Sequence, residues 1–354
     1  MLLASSMSAM ERCPLELWEK IFALACTDGG FTGCSLSLVS RRVRALVEPF
    51  RYHSISLVEY EKFLAFASLL KGFPMPPTIC HLFISVKLPD IAPYTSDHAG
   101  RAPFIKELFE EAFLSILTIV ASELRSLCVH SPAVSHILAL AFKLPFPLLT
   151  YLMVPCPLNG FCLKDIGRRL VALERLHVIR CFAVTPLCDS LPQFAPSVTH
   201  VGFSDMSSDL YAPQFLKHLL KVDVQLRPGR FRTSSHGVED KVANIIRSLP
   251  LLKAVYVQPQ KLEIGPGLPS SDACGPLLNK QMNDELEQVA KAHADGATSG
   301  IKLHLFPRST EYSMDDARRD WLGVVNSGDG AKFSAMSSRE LPLAVAGAWD
   351  GIQK

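Results

Sequence analysis

The sequence predicts an α/β fold in which a small helical module precedes a stack of strand–helix units. The main observation is a triplet of the form apolar-x-x-apolar-x-apolar, whose seven copies start 45, 25, 24, 25, 21 and 33 residues apart. Helix-like segments lie between the copies, and two apolar helical segments precede them. The triplets are Ile79/Leu82/Ile84, Leu124/Leu127/Val129, Leu149/Leu152/Val154, Leu173/Leu176/Val178, Val198/Val201/Phe203, Leu219/Val222/Val224 and Leu252/Val255/Val257.

The helical module occupies residues 13–49. Pro14 suits the first turn of a helix, because its missing N–H has no intrahelical partner there in any case. Apolar residues then fall on two adjacent faces of this helix, one of which contains Leu17 and Ile21. Ser35 is predicted to N-cap a second helical segment that Pro49 ends. About 40 residues cannot bury so much apolar surface alone, so one face should meet the rest of the chain and another a partner.

The pattern P-x-E-L-x-x-x-I-F, followed by L-x-L-V-S-R-R-V-R-x-L, resembles the F-box, through which substrate receptors of ubiquitin ligases dock on a Skp-type adaptor. The matching residues are Pro14, Glu16, Leu17, Ile21, Phe22, Leu38, Val39, Ser40, Arg41, Arg42 and Leu46. Cys13 replaces the usual leucine, and the Gly-rich loop 27–34 is longer than the common form, as in F-box-like proteins of mushroom-forming fungi. The resemblance implies that the adaptor contacts Pro14, Leu17, Ile21, Phe22, Leu38, Val39 and Leu46. The alternative is a helical hairpin that only caps the following domain.

The triplets predict strands that pack side by side. No single unit buries its own apolar face, so neighbouring units must cover one another. The period and the L-x-x-L-x-V core resemble the leucine-rich repeat, without the asparagine ladder of that family. A doubly wound α/β domain is the alternative, since it also alternates strands and helices. The regular period and the lack of a Gly-rich phosphate loop favour the solenoid.

These observations divide the chain into four parts. Residues 11–50 form the F-box-like module, 51–258 the leucine-rich-repeat-like solenoid, 259–326 an irregular C-terminal repeat or cap, and 327–354 a weakly ordered tail. Outside the triplets, strands are predicted at 51–57 and 301–306. Helices are predicted at 58–74, 104–122, 133–143, 161–171, 241–248, 277–294 and 313–325, with a loop insertion at 89–103.

Composition argues against several functions. A net charge of +2 is too close to neutral to indicate a nucleic-acid or membrane partner. The uncharged stretch 144–163 is long enough to span a bilayer, but its four prolines favour a buried strand. Ten cysteines without a C-x-x-C pair indicate reduced, mostly buried thiols, and no signal peptide is apparent, so we expect a cytoplasmic or nuclear protein that is not secreted.

Chemistry-bearing patterns are absent from the sequence. It contains no G-x-S-x-G, Walker or H-E-x-x-H motif. His177 and His200 lie one repeat apart and are interpreted as polar strand residues rather than metal ligands. We therefore expect no enzymatic activity, no cofactor and no metal.

The expected function is that of a substrate receptor. The F-box would bind the Skp-type adaptor and through it a cullin, and the repeat array would bind a target protein. Two other classes remain open. One is a non-ligase scaffold whose hairpin caps the array, and the other is an α/β enzyme, which would need a convergent polar pocket at the strand ends.

Overall fold

The computed structural model describes residues 13–87, 101–131, 138–156, 170–181, 184–207, 209, 211–226, 249–261, 274–296, 299–308 and 312–327. Four predicted features lie wholly or mostly outside these residues: the helix at 161–171, of which only 170 and 171 are described and are not helical, the helix at 241–248, the insertion 89–103, and the tail from 328 onward.

The described strands form one eight-stranded parallel sheet in which each strand pairs with its neighbours in chain order. A doubly wound sheet reverses its strand order at a switch point, and this sheet has no such reversal. The order is therefore that of a solenoid. The strands are β1 Ser54–Leu57, β2 His81–Ile84, β3 Ser126–Val129, β4 Tyr151–Pro155, β5 Arg175–Ile179, β6 His200–Met206, β7 Ala254–Pro259 and β8 Lys302–Leu305.

Helices precede the sheet, connect its strands and follow it. The first three form the N-terminal module, and a short 3-10 helix, Glu48–Phe50, leads from them into β1. The described helices are α1 Leu15–Ala25, α2 Phe31–Leu36, α3 Arg41–Val47, α4 Tyr60–Gly72, α5 Arg101–Val120, α6 Leu138–Ala141, α7 Val184–Phe194, α8 Ala212–Leu220, α9 Cys274–Gly296 and α10 Met314–Ser327.

One face of the sheet, here called the helical face, packs against the connecting helices. Side chains alternate between the two faces of a strand, so the last two residues of a triplet fall on the same face. Leu152, Leu176 and Val201 pair across β4, β5 and β6 and are at most 2 % exposed. The buried apolar strand residues in this core are Ile55, Leu57, Leu82, Ile84, Leu127, Val129, Leu152, Val154, Leu176, Val178, Val201, Phe203, Met206, Val255 and Val257.

Six of the seven triplets are thus confirmed as strands, and the copy that begins at Leu219 is wrong. Leu219 lies in the last turn of α8, and residues 221–226 form no strand. Phe215, Leu216 and Leu220 are buried with it at helical spacing, so Leu219 belongs to a helix, and Val222 and Val224 follow that helix without forming a strand. Lys221, with a φ of 53°, ends that helix in the left-handed region.

The second helical segment of the N-terminal module also differs from its prediction. Ser35 lies inside α2 rather than at an N-cap, and the segment is divided into α2 and α3. Ser40 is the cap of α3, because its side chain accepts a hydrogen bond of 3.1 Å from the backbone N–H of Val43. The extended backbone of Ser40, with a φ of −162°, interrupts the helix.

The region predicted as an irregular C-terminal repeat or cap adds one more strand–helix unit to the sheet. The predicted helix at 277–294 is confirmed as α9, and the predicted strand at 301–306 is confirmed as β8, which pairs with β7. Met282, Leu286 and Val289 of α9 join the same core as the earlier repeats. The predicted last helix is confirmed as α10, which packs on the opposite face of the sheet.

Replacing Leu176 by alanine should lower the free energy of unfolding by about 2–5 kcal/mol, because the change leaves a cavity between two neighbouring repeats. Leu176 is 2 % exposed, whereas Leu251 is 50 % exposed and gives a matched control. Urea unfolding followed by circular dichroism compares Leu176→Ala with Leu251→Ala. A Leu176→Ala protein as stable as the parent would contradict the observed register.

Candidate docking surface

The three helices of the N-terminal module share a small core of their own. Phe22, Cys26, Val43 and Val47 are buried in it. Trp18 stacks on Phe22 with 5.4 Å between the ring centroids. This core orients α1 against α3 and leaves the other side of α1 uncovered.

Large apolar side chains are exposed on this module although its core is already packed. Their exposed fractions range from 47 % for Ile21 to 78 % for Leu24 and Leu38. Isolated apolar residues are common on protein surfaces, but so many on one small module indicate an interaction site. We call this group the exposed apolar set: Leu15, Leu17, Ile21, Leu24, Leu38 and Val39.

The structure separates the sequence-predicted contact residues into two groups. Pro14, Leu17, Ile21, Leu38 and Val39 are exposed and available to a partner.

The other two predicted contact residues face inward. Phe22 is 3 % exposed within the module core, and Leu46 is half-buried against that core. Both support the helices that carry the exposed set, and their contact with an adaptor stays a prediction.

Basic side chains lie next to the exposed apolar set. Arg41 and Arg42 are exposed in the first turn of α3. Arg44 instead donates a hydrogen bond of 2.8 Å from its Nε to the backbone oxygen of Ser37, and so fixes the turn before α3.

The module is attached to the sheet through the Gly-rich loop. The backbone N–H of Gly29 donates to Ser54 Oγ at 3.1 Å, and the Gly29 carbonyl accepts from the Ser56 N–H at 3.2 Å. A Cβ on Gly29 would lie 2.8 Å from that of Ser56, and its φ is 85°, so this close approach requires glycine. The loop thus covers part of the edge of β1 and fixes the module relative to the solenoid.

The opposite face of the sheet is covered by α10. Trp321 is fully buried there, with its ring 5.5 Å from that of Phe83 and its Nε1–H donating to Ser126 Oγ at 3.0 Å. The buried residues of this second cluster are Phe83, Cys128, Tyr151, Met153, Ile179, Ala254, Tyr256, Tyr312, Ala317 and Trp321. A face that would otherwise be open to a partner is therefore occupied by the chain itself.

Sequence reasoning missed this arrangement, although the strands contain a signal for it. Phe83, Cys128, Met153 and Ile179 alternate with the helical-face residues, so these strands are apolar on both sides. Continuous apolar strands are typical of sheets covered on both faces.

Polar contacts hold the start of α10 in place. The backbone oxygen of Tyr312 accepts a hydrogen bond of 3.1 Å from His130 Nε2. The Tyr312 ring packs edge-on against the ring of His177, with 5.2 Å between the ring centroids. The Tyr312 hydroxyl donates to the carboxyl group of Asp320, one of the few buried acids.

The carboxyl group of Asp320 has a raised pKa. Burial raises this pKa from its ordinary 3.8 to about 7, although the hydrogen bond from Tyr312 opposes the increase. Two smaller contributions come from Asp316, which raises the pKa, and Arg319, which lowers it. The docked helix therefore keeps this proton up to about pH 7, whereas a released helix loses it near pH 4. Docking is fully favoured below pH 4 and weakens as the pH rises through 7.

Asp320→Asn should remove this pH dependence, because asparagine keeps a hydrogen-bond acceptor for Tyr312 and carries no charge to desolvate. We expect the variant to match the parent at pH 4 and to be more stable at pH 8, by on the order of 4 kcal/mol if the full shift acts. Urea unfolding of both proteins between pH 4 and pH 8 measures this difference in stability. Asp315→Asn, at an exposed position of the same helix, is the control. Parallel stability curves for parent and Asp320→Asn would contradict the assignment.

Other kinds of site receive no support from the described residues. Within the described part of the chain, no three His, Cys, Asp or Glu side chains come together in a way that could hold a metal ion. No described helix combines the length and apolar character that crossing a membrane requires. Four of the described cysteines, Cys26, Cys80, Cys128 and Cys181, are buried and not in disulfides, as the sequence predicts for most of them, whereas Cys34 is exposed.

The fold and this surface define the class as an α/β strand–helix solenoid with an N-terminal helical module and its own helix on the second sheet face. No family model matches the chain, and searches of curated proteins and of solved structures also found no match.

Proposed function

We propose that this chain is a substrate-receptor subunit of a Skp–cullin–F-box type ubiquitin ligase. The observation that supports the proposal is the exposure of Leu17, Ile21, Leu38 and Val39, the positions that the F-box resemblance assigns to the adaptor. In an isolated domain, exposure of these apolar side chains to water is unfavourable in free energy. An apolar groove on an adaptor would bury them.

The proposed docking works through a few anchors. Phe22, Val43 and Val47 hold the helices together, so α1 presents Leu17 and Ile21 one turn apart without reorganisation. Arg41 and Arg42 beside the apolar set would meet acidic residues of the adaptor, which mainly increases the association rate. The chain would contribute no catalysis, because ubiquitin transfer belongs to the other subunits.

The target protein would be bound by the repeat array. Because α10 covers the middle of one sheet face and Tyr256 of β7 is buried in the second cluster, the end of that face at β8 is the more accessible part. There the ring of His304, which is exposed, stacks on Tyr256 at 4.7 Å, and Phe306 continues the stack at 6.3 Å from Tyr256. Such flat ring surfaces are typical anchors for peptides and proteins.

A non-ligase scaffold with a helical N-terminal cap is the second candidate. The contacts of Gly29 with Ser54 and Ser56 favour it, since they are those of a cap on the first strand. A cap alone, however, gives no role to the exposed apolar set.

Affinity purification of the full chain from its source organism, followed by mass spectrometry, distinguishes the two. Peptides of a Skp-type adaptor and a cullin are expected for the receptor. Their absence from a clean purification, together with no binding of a purified adaptor on size-exclusion chromatography, would favour the scaffold.

A further inference from the structure

A cavity of about 390 Å³ lies where the three parts of the molecule meet. The end of α1 forms one wall with Leu24, and α10 forms another with Val324 and Val325. The remaining wall is the edge of the sheet at which β2 to β5 begin. We call this space the edge cavity, and its volume falls in the range typical of small-molecule sites.

The wall at the sheet edge is polar and positively charged. It contains the guanidinium groups of Arg125 and Arg175, and Glu174 is the one carboxylate among the lining residues. Arg125 is exposed at the mouth, whereas Arg175 is only 7 % exposed. Hydroxyl groups of Ser126 and Thr150 lie between them on the same wall. The Thr150 hydroxyl donates to the backbone oxygen of Arg125 at 3.1 Å, so the guanidinium groups are the charged donors of this wall.

The two histidines of this wall, His53 and His81, are neutral donors rather than further cations. Burial lowers the pKa of His81 to about 3, with smaller contributions from His53 and Arg125, and burial together with Arg125 also lowers the pKa of His53. Ser126 Oγ accepts the Trp321 indole N–H, so its own proton is available to His81 Nδ1 at 2.9 Å. That arrangement assigns the ring proton of His81 to Nε2.

We propose that the edge cavity binds a small organic anion. Its carboxylate or phosphate group would meet Arg125 and Arg175, and its apolar part would lie against Leu24, Val324 and Val325. Guanidinium groups form paired hydrogen bonds with both kinds of anion. A neutral ligand could not form the charge-assisted pair with Arg125, and an inorganic ion would leave the apolar walls unused.

The position of the cavity gives such a ligand a structural effect. It would contact the N-terminal module, the sheet and α10 at once, and so would stabilise the docked position of α10 by binding only that state. The contact between Thr27 Oγ1 and Asn326 Oδ1, at 2.7 Å, already joins two of these parts beside the cavity.

Calorimetric titration of the full chain tests the proposal. Phenyl phosphate and benzoate represent the two anion types, and phenol is the neutral analogue of matched shape. We expect at least one anion to bind and phenol to bind at least ten-fold more weakly. Which of the two anions binds more tightly distinguishes a phosphate from a carboxylate ligand. The ring protons of His53 and His81 should shift in NMR spectra when the anion saturates the site.

Two variants provide a matched comparison. Arg125 precedes β3 and Lys253 precedes β7 at the same point of the repeat, since the backbone N–H of each donates to the preceding repeat at 2.8 Å. Arg125→Gln should weaken anion binding about ten-fold, and Lys253→Gln should leave it unchanged, because Lys253 does not line the cavity. Both side chains are exposed, so both variants should keep the parent's thermal stability.

The proposal is overturned by any of three results. These are no binding of either anion, phenol binding as tightly as the anions, and equal effects of the two substitutions. None of these measurements involves the adaptor, so the edge cavity and the proposed receptor function succeed or fail separately.

Discussion

Replacing Leu17 and Ile21 together by aspartate should abolish binding of the Skp-type adaptor while the chain stays folded. Both side chains are about half exposed, at 49 % and 47 %, so neither supports the module core. Loss of one apolar anchor typically costs at least about 2 kcal/mol, or about 30-fold in affinity. The two introduced carboxylates would also have to be desolvated in the interface, which adds to that cost.

A double variant with the same chemistry elsewhere serves as the control. Met75 and Leu277 are 82 % and 63 % exposed outside the module, so Met75→Asp/Leu277→Asp adds the same charges without touching the proposed surface. A pull-down and a circular dichroism spectrum should be recorded on the same preparations. Undiminished adaptor binding by the Leu17/Ile21 variant would refute the assignment of this surface. Its global unfolding would show that the hairpin is a structural cap.

Trp321→Ala should release α10 from the sheet. The substitution removes the largest fully buried side chain of the second cluster and its hydrogen bond to Ser126. Truncating a buried tryptophan lowers the free energy of unfolding by about 3–5 kcal/mol. Once α10 has undocked, the substitution does not destabilise the remaining solenoid any further. Amide hydrogen exchange should therefore rise over residues 312–327 and change little in β4 and β5.

Arg318→Ala gives the comparison for this variant. Arg318 is exposed on the same helix, so its truncation tests whether helix propensity alone changes the exchange. Equal protection of residues 312–327 in the parent and in Trp321→Ala would show that α10 does not depend on the buried ring. Exchange that rises throughout the sheet would show instead that α10 and the solenoid unfold as one unit.

The solenoid could be predicted from the sequence because its signal is local and repeated. In each correct triplet, two apolar residues two positions apart fall on the same face, and pairs such as Leu152 and Leu176 must then meet across the sheet. The triplet at Leu219 has this spacing by chance, since it starts in the last turn of α8 and continues past the end of that helix. Three residues are too few to distinguish the period of a helix from that of a strand. The buried neighbours Phe215 and Leu216 show that Leu219 follows the helical period.

The candidate docking surface could be predicted only in part. The motif identifies α1, and its helical periodicity gives two adjacent apolar faces, but periodicity does not say which one packs inward. The stacking of Trp18 on Phe22 against α3 decides that, and it leaves Leu17 and Ile21 outside. The position of α10 could not be predicted, since Trp321 and Ser126 are 195 residues apart and no local pattern joins them.

The late position of α10 in the chain has a consequence for biosynthesis. A solenoid can assemble unit by unit as it leaves the ribosome, but Phe83 and Met153 remain uncovered until residues 312–327 are made. At about 5–20 residues per second, the 243 residues between Ile84 and Ser327 require roughly 10–50 s. During that time the nascent chain exposes an apolar sheet face that attracts chaperones and other nascent chains. Chains terminated before Tyr312 should therefore aggregate even though their helical face is complete.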